Sequence, residues 1–140
     1  MRHQPISRSI IQRHTGCFVK TPVPTEAQEA VTLTTYLRVR GFRFTHIANE
    51  TGSGQGAKFQ GIRNKRQGVS KGFPDYMVIV DNKLIAIELK RSKGGKVSPE
   101  QKEWLSALSK AGVDAFVSYG AKDAIEYIES ISNRLDVDIF

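Results

Sequence analysis

Gly72-Phe-Pro-Asp-Tyr-Met-Val-Ile-Val-Asp-Asn-Lys-Leu-Ile-Ala-Ile-Glu-Leu-Lys90 is the stretch on which the reading of this chain turns. Tyr76–Val80 and Leu84–Leu89 are rich in branched and aromatic side chains, and Asp81, Asn82 and Lys83 between them are turn formers. Two such runs about a tight turn predict a β-hairpin. Asp75, Glu88 and Lys90 break the apolar pattern at its open end. Side chains alternate along a strand, so Glu88 and Lys90 share a face. A two-residue Asp81-Asn82 loop sets Asp75 opposite Glu88, and an Asn82-Lys83 loop sets it opposite Lys90. Both put the three residues on one face, whereas a three-residue loop turns Asp75 to the other. One reading of this trio is salt-bridge decoration of a strand end. The other is a divalent-metal site, because Mg²⁺ characteristically takes one or two carboxylates and keeps several waters. A lysine beside it can position or deprotonate water, or stabilise developing negative charge.

The wider context narrows the choice. Gly72-Phe-Pro-Asp75, the apolar strand, Ile87-Glu88-Leu89-Lys90, a basic connector and Ser98-Pro-Glu-Gln101 together resemble the virus-type replication-repair nuclease (VRR-NUC) domain. Asp75, Glu88 and Lys90 fall on the PD-(D/E)xK nuclease signature. The resemblance spans roughly residues 25–130. It implies a restriction-endonuclease-like α/β fold, a mixed central sheet flanked by helices in the order αβββαβα.

It also implies an activity: metal-dependent hydrolysis of DNA phosphodiester bonds. Asp75 and Glu88 then hold Mg²⁺ or Mn²⁺, with the Leu89 carbonyl assisting and a first-helix glutamate completing the cluster. Glu26 fits that last role better than Glu29, as it opens Thr25-Glu-Ala-Gln28 just before the helical stripe. Lys90 and Gln101 complete the catalytic set. Asn49 of Asn49-Glu50 resembles the polar pair that follows the first strand in this family. Stand-alone members resemble Holliday-junction resolvases, which implies branched DNA as substrate and a homodimer. Two rivals stay open: a monomeric nickase or flap nuclease, and a non-catalytic basic DNA- or RNA-binding module.

Composition agrees with a nucleic-acid partner. The chain has 140 residues, 39% hydrophobic, enough for one core, with net charge +7. Its sequence pI is about 9.7, which favours a polyanion. Lys58, Arg63, Lys65, Arg66 and Lys71 form an acid-free run just before Asp75, and Arg91, Lys93 and Lys96 follow Lys90. With Asn49 these are the expected DNA-binding residues. No apolar run approaches the ~20 residues of a membrane span and no signal-peptide block opens the chain. The single cysteine, Cys17, fits a reducing compartment. The expected setting is the cytoplasm of a bacterial or virus-infected bacterial cell, with neither a membrane nor a small-molecule substrate.

Residues 1–24 read as a basic arm, leaving 25–140 as the nuclease domain. His3, His14 and Cys17 lie in that arm but fall short of the four ligands of a structural zinc site. Thr25 caps a predicted helix with an Ala30, Leu33, Leu37 stripe that stops at Gly41. Phe42–Ala48 reads as a strand, with His46 taken as structural. Residues 51–71 read as a long glycine-rich basic loop suited to a phosphate backbone, with Phe59 packed beneath it in preference to stacking on a base. Neither Gly52-Ser-Gly54-Gln-Gly56 nor Gly94-Gly-Lys-Val97 completes a phosphate-binding P-loop. Ser98-Pro-Glu-Gln101 predicts a capped helix with Trp104, Leu105 and Leu108 buried and Gly112 as its stop. Val113–Tyr119 reads as a strand parallel to 84–89, Ala121–Ser132 as an amphipathic helix and Leu135–Phe140 as an apolar tail.

Overall fold

The computed structural model describes residues 20–48 and 55–132. The first nineteen residues of the arm, Asn49-Glu50, Gly52–Gly54 and the 135–140 tail lie outside the described residues. The elements run α1 (Glu26–Val39), β1 (Arg43–His46), α2 (Gln55–Arg66), β2 (Tyr76–Val80), β3 (Lys83–Lys90), α3 (Pro99–Lys110), β4 (Asp114–Tyr119) and α4 (Ala121–Ser132).

The four strands form one mixed sheet in the order β1-β2-β3-β4. β1 and β3 flank β2 antiparallel, and β4 runs parallel to β3 after the α3 crossover. Val80 pairs with Lys83, so Asp81-Asn82 is the hairpin loop. Both residues have positive φ, 49° and 64°, as a type I′ turn demands, and Asp and Asn tolerate that region. This register settles which side chains share a face.

β3 is buried from Ile85 to Lys90. Its Ile85, Ile87 and Leu89 join Tyr76, Val78 and Val80 of β2 under Leu33 and Leu37 of α1 and Ala121, Ala124 and Ile128 of α4. Fully burying side chains of this kind contributes about 1.5–3 kcal/mol each, so this face dominates the stability. The opposite face carries Ala86, Glu88 and Lys90 and is covered in part by α3. Trp104, Leu105 and Leu108 of α3 are only half-buried, not buried as their spacing predicts. α3 lies at the margin of the sheet and lets one flank meet solvent.

The sequence-based order αβββαβα gains one helix. Gln55–Arg66, expected as loop, is α2, and Gly68 ends it with φ +80°. The Val69 N–H reaches the Asn64 carbonyl at 2.8 Å and the Gly68 N–H reaches Lys65 at 3.1 Å, which closes the helix end. Gly41 and Gly112 end α1 and α3 with the same pair of bonds.

Candidate active site

The hairpin register carries the site. Tyr76 pairs with Ile87, so one step outward Asp75 falls level with Glu88. The Leu89 N–H donates to Asp75 Oδ2 at 2.9 Å, which ties the Asp75 carboxylate across the strand gap. Glu88 is fully buried. Its Oε1 accepts from Lys90 Nζ at 2.7 Å and also from Gln101 Nε2. Its Oε2 is buried with no hydrogen-bond partner among the described residues. A buried carboxylate oxygen left unsatisfied costs free energy, and an arriving cation relieves that cost.

Electrostatics follow from this burial. Desolvation pushes the Glu88 carboxyl up to about 7 despite the hydrogen bond from Lys90, and the charges on Asp75 and Glu26 add to the rise. For Lys90, burial acts downward, but the Glu88 carboxylate outweighs it and holds the ammonium above its usual value. Lys90 is therefore a cation near neutral pH. The connector after β3 covers its stem: a Cβ at Gly95 would stand 2.7 Å from Lys90 Cβ.

Gln101 arrives by a different route. Ser98 caps α3, and the Gln101 N–H donates to Ser98 Oγ at 3.2 Å while Gln101 Oε1 accepts from the Ser98 N–H at 2.8 Å. The cap uses the amide oxygen and frees the amide nitrogen for Glu88. Gly72 sets how closely α3 approaches. With φ +84°, its missing Cβ would lie 2.6 Å from the Glu100 carbonyl carbon and 2.7 Å from the Gln101 nitrogen. Phe73 then packs edge-on to Trp104 with centroids 4.9 Å apart. The Gly-Phe-Pro-Asp segment thus fixes Asp75 and the start of α3 together.

Glu26, at the head of α1, lines a cavity of about 240 Å³ with Asp75, Leu89 and His46. Glu29 is buried elsewhere: its Oε2 accepts from the Ala121 N–H at 2.8 Å and so stabilises the N-terminus of α4. His46 stacks on Tyr76 with centroids 4.5 Å apart and an interplanar angle of 8°. It therefore borders the site, a placement that its sequence surroundings did not signal. Among the described residues no three Asp, Glu, His or Cys side chains gather closely enough to hold a metal by themselves. A cation here would rest on the Asp75–Glu88 pair, main-chain oxygen and water, a donor set that suits Mg²⁺.

The basic residues divide into two groups. Lys58, Arg63, Lys65 and Arg66 are exposed on α2, while Lys71, Arg91, Lys93 and Lys96 are exposed on the connectors beside the site. Asn49 lies outside the described residues. Phe59, expected under a loop, is 78% exposed.

The family model of the VRR-NUC domain matches residues 35–122, more than half of the chain. A solved structure described as a VRR_NUC domain protein shares the fold with a TM-score of 0.60 at 25% identity, over 79% of this chain and 89% of that one. No curated protein matches the chain significantly. The chain belongs to the VRR-NUC family, a family of nucleases. Asp75, Glu88, Lys90 and Gln101 lie within the matched residues; Glu26 precedes them.

Proposed function

We propose that this chain is a Mg²⁺- or Mn²⁺-dependent DNA endonuclease that cuts branched DNA, in the manner of Holliday-junction resolvases, as a homodimer. One observation carries the metal dependence. Glu88 has one carboxylate oxygen saturated by Lys90 and Gln101 and the other buried without a partner, level with Asp75. Asp75, Glu88 and the Leu89 carbonyl are the proposed ligands, with Glu26 adding negative charge from the cavity wall. A divalent ion held there supplies Lewis acidity and a water of lowered pKa.

The chain's own groups do the rest. Lys90 and Gln101 together hold Glu88 in one rotamer, so the free oxygen points in a constant direction. Lys90 also keeps a positive charge beside the position of the scissile phosphate, where negative charge grows in the transition state. The exposed Lys71, Arg91, Lys93 and Lys96 neutralise neighbouring phosphates.

Glu88→Gln tests the reading, because it keeps the shape and removes the charge. Cleavage of a labelled four-way junction in Mg²⁺ should disappear, while binding in EDTA persists. Undiminished cleavage by this variant overturns the assignment. Flap, single-strand and duplex substrates in the same assay rank substrate classes. Light scattering with and without the junction distinguishes the dimer from a monomeric nickase.

A further inference from the structure

Helix α2 is built the reverse of a core helix. Ala57, Gly61 and Asn64, at i, i+4 and i+7, are its half-buried positions. Phe59, Ile62, Arg63 and Arg66 fall on the opposite side by the 3.6-residue period, and all four are exposed. Phe59 is 78% exposed and Ile62 53%. Leaving a phenylalanine in water forgoes roughly 1.5–3 kcal/mol of burial, so folding does not account for its placement. Lys58 and Lys65 flank this face, and the helix contains no acid.

We infer that the outer face of α2 is a stacking wedge for unpaired bases of DNA: Phe59 stacks on a base while Arg63 and Arg66 hold the phosphates on either side. Three features favour this occupant. First, aromatic side chains set among cations are the recurring means of gripping single strands, since every base offers a π-face. Secondly, a membrane-surface helix segregates its cations from its apolar side chains, whereas here arginines and Phe59 share one face. Thirdly, the chain from Arg66 to Asp75 is nine residues long and spans at most ~32 Å, less than one duplex turn of about 34 Å. A DNA strand at Asp75 and Glu88 therefore lies within reach of α2. A wedge near the cutting centre that requires unstacked bases would favour branch points over continuous duplex. This inference rests on the proposed nuclease function but concerns binding alone.

The test uses the full chain in EDTA with three probes: a four-way junction, a single-stranded oligonucleotide and a blunt duplex. Phe59→Ala should weaken junction and single-strand binding on the order of tenfold or more, with duplex affinity nearly unchanged. Phe59→Trp should restore both and quench 2-aminopurine placed at the branch. Arg63→Ala with Arg66→Ala should weaken all three and reduce the duplex salt slope by about 1.8, at roughly 0.9 per phosphate. Unchanged junction and single-strand affinity in Phe59→Ala, or an equal loss on duplex, overturns the wedge. Because no arm requires cleavage, loss of the wedge leaves the Glu88 test untouched. A Glu88→Gln enzyme that still cuts leaves the wedge standing.

Discussion

Helices α1 and α3 begin with the same device and use it differently. Thr25 and Ser98 each cap their helix, and Gln28 and Gln101 each close the box from the third position. The bond lengths agree: the cap N–H to the glutamine Oε1 is 2.8 Å in both, and the glutamine N–H to the cap hydroxyl is 3.2 Å in both. Gln28 is exposed and ends there, whereas Gln101 goes on to donate to Glu88. A capping box spends the amide oxygen and leaves the nitrogen free, so what lies beside the cap decides its role. At α3 that neighbour is a buried carboxylate; at α1 it is water.

The largest effect should come from the glycine that presses α3 onto the site. Gly41, after α1, has φ +71° with nothing within 4 Å of its missing Cβ, while Gly72 has φ +84° with backbone at 2.6 Å. Gly41→Ala should then cost only the left-handed strain, about 1–2 kcal/mol. Gly72→Ala adds overpacking of about 1–3 kcal/mol against the first turn of α3. Paired thermal melts should rank Gly72→Ala as distinctly less stable, and equal melting temperatures would mean that α3 is not held by this approach.

The glutamines separate next. If Glu88 holds the metal as proposed, Gln101→Ala should lower cleavage by about 10- to 100-fold, the usual cost of removing a group that orients a metal ligand. Gln28→Ala should leave the rate unchanged, although each variant loses a comparable cap bond of about 1 kcal/mol in stability. Gln101→Glu sharpens the comparison, since glutamate can close the box but sets a second carboxylate against Glu88. It should retain more stability than Gln101→Ala and still cut poorly. A rate loss that follows stability across both helices would reduce Gln101 to a cap.

The same comparison shows how far a sequence can be read. Both caps, and the α3 box, were legible because capping is local chemistry three residues long, and so was the hairpin, although its loop length, and with it the face of Asp75, stayed open. That Gln101 meets a carboxylate depends on tertiary approach, set by Gly72, and in the sequence only the family resemblance pointed to it. α2 was hidden for a different reason. Its inward face is Ala57, Gly61 and Asn64, so no apolar stripe announces it, and two internal glycines each cost up to about 1 kcal/mol of helix propensity. What did mark it was Gly68, the same stop that ends α1 and α3, set among other glycines that concealed it. Glu26 and Glu29 differ by less than one helical turn; the family resemblance favoured Glu26, and Glu29 is engaged by α4 while Glu26 lines the cavity with Asp75.

The smallest effect belongs to the far end of α1, where the structure is held by surface polar contacts remote from the site. Glu129 of α4 accepts from Arg40 and from the Tyr36 hydroxyl, the latter at 2.7 Å. The Arg40 bond, with the Tyr36 bond second, holds the Glu129 carboxyl below its ordinary value. A carboxyl depressed on folding contributes stability that is fully present above the unfolded value of about 4.3 and is lost as pH falls through the lower folded value. Glu129→Gln removes that contribution. The melting-temperature difference between wild type and variant should be constant from neutral pH down to about 5 and shrink below ~4. It should also shrink with added salt, because the pair is solvent-facing. Cleavage near neutral pH should not respond to this change, in contrast to Gln101→Ala. A rate change in Glu129→Gln would mean that the two ends of α1 are coupled through Leu33 and Leu37, and that the α1 box is less isolated from the chemistry than its exposure implies.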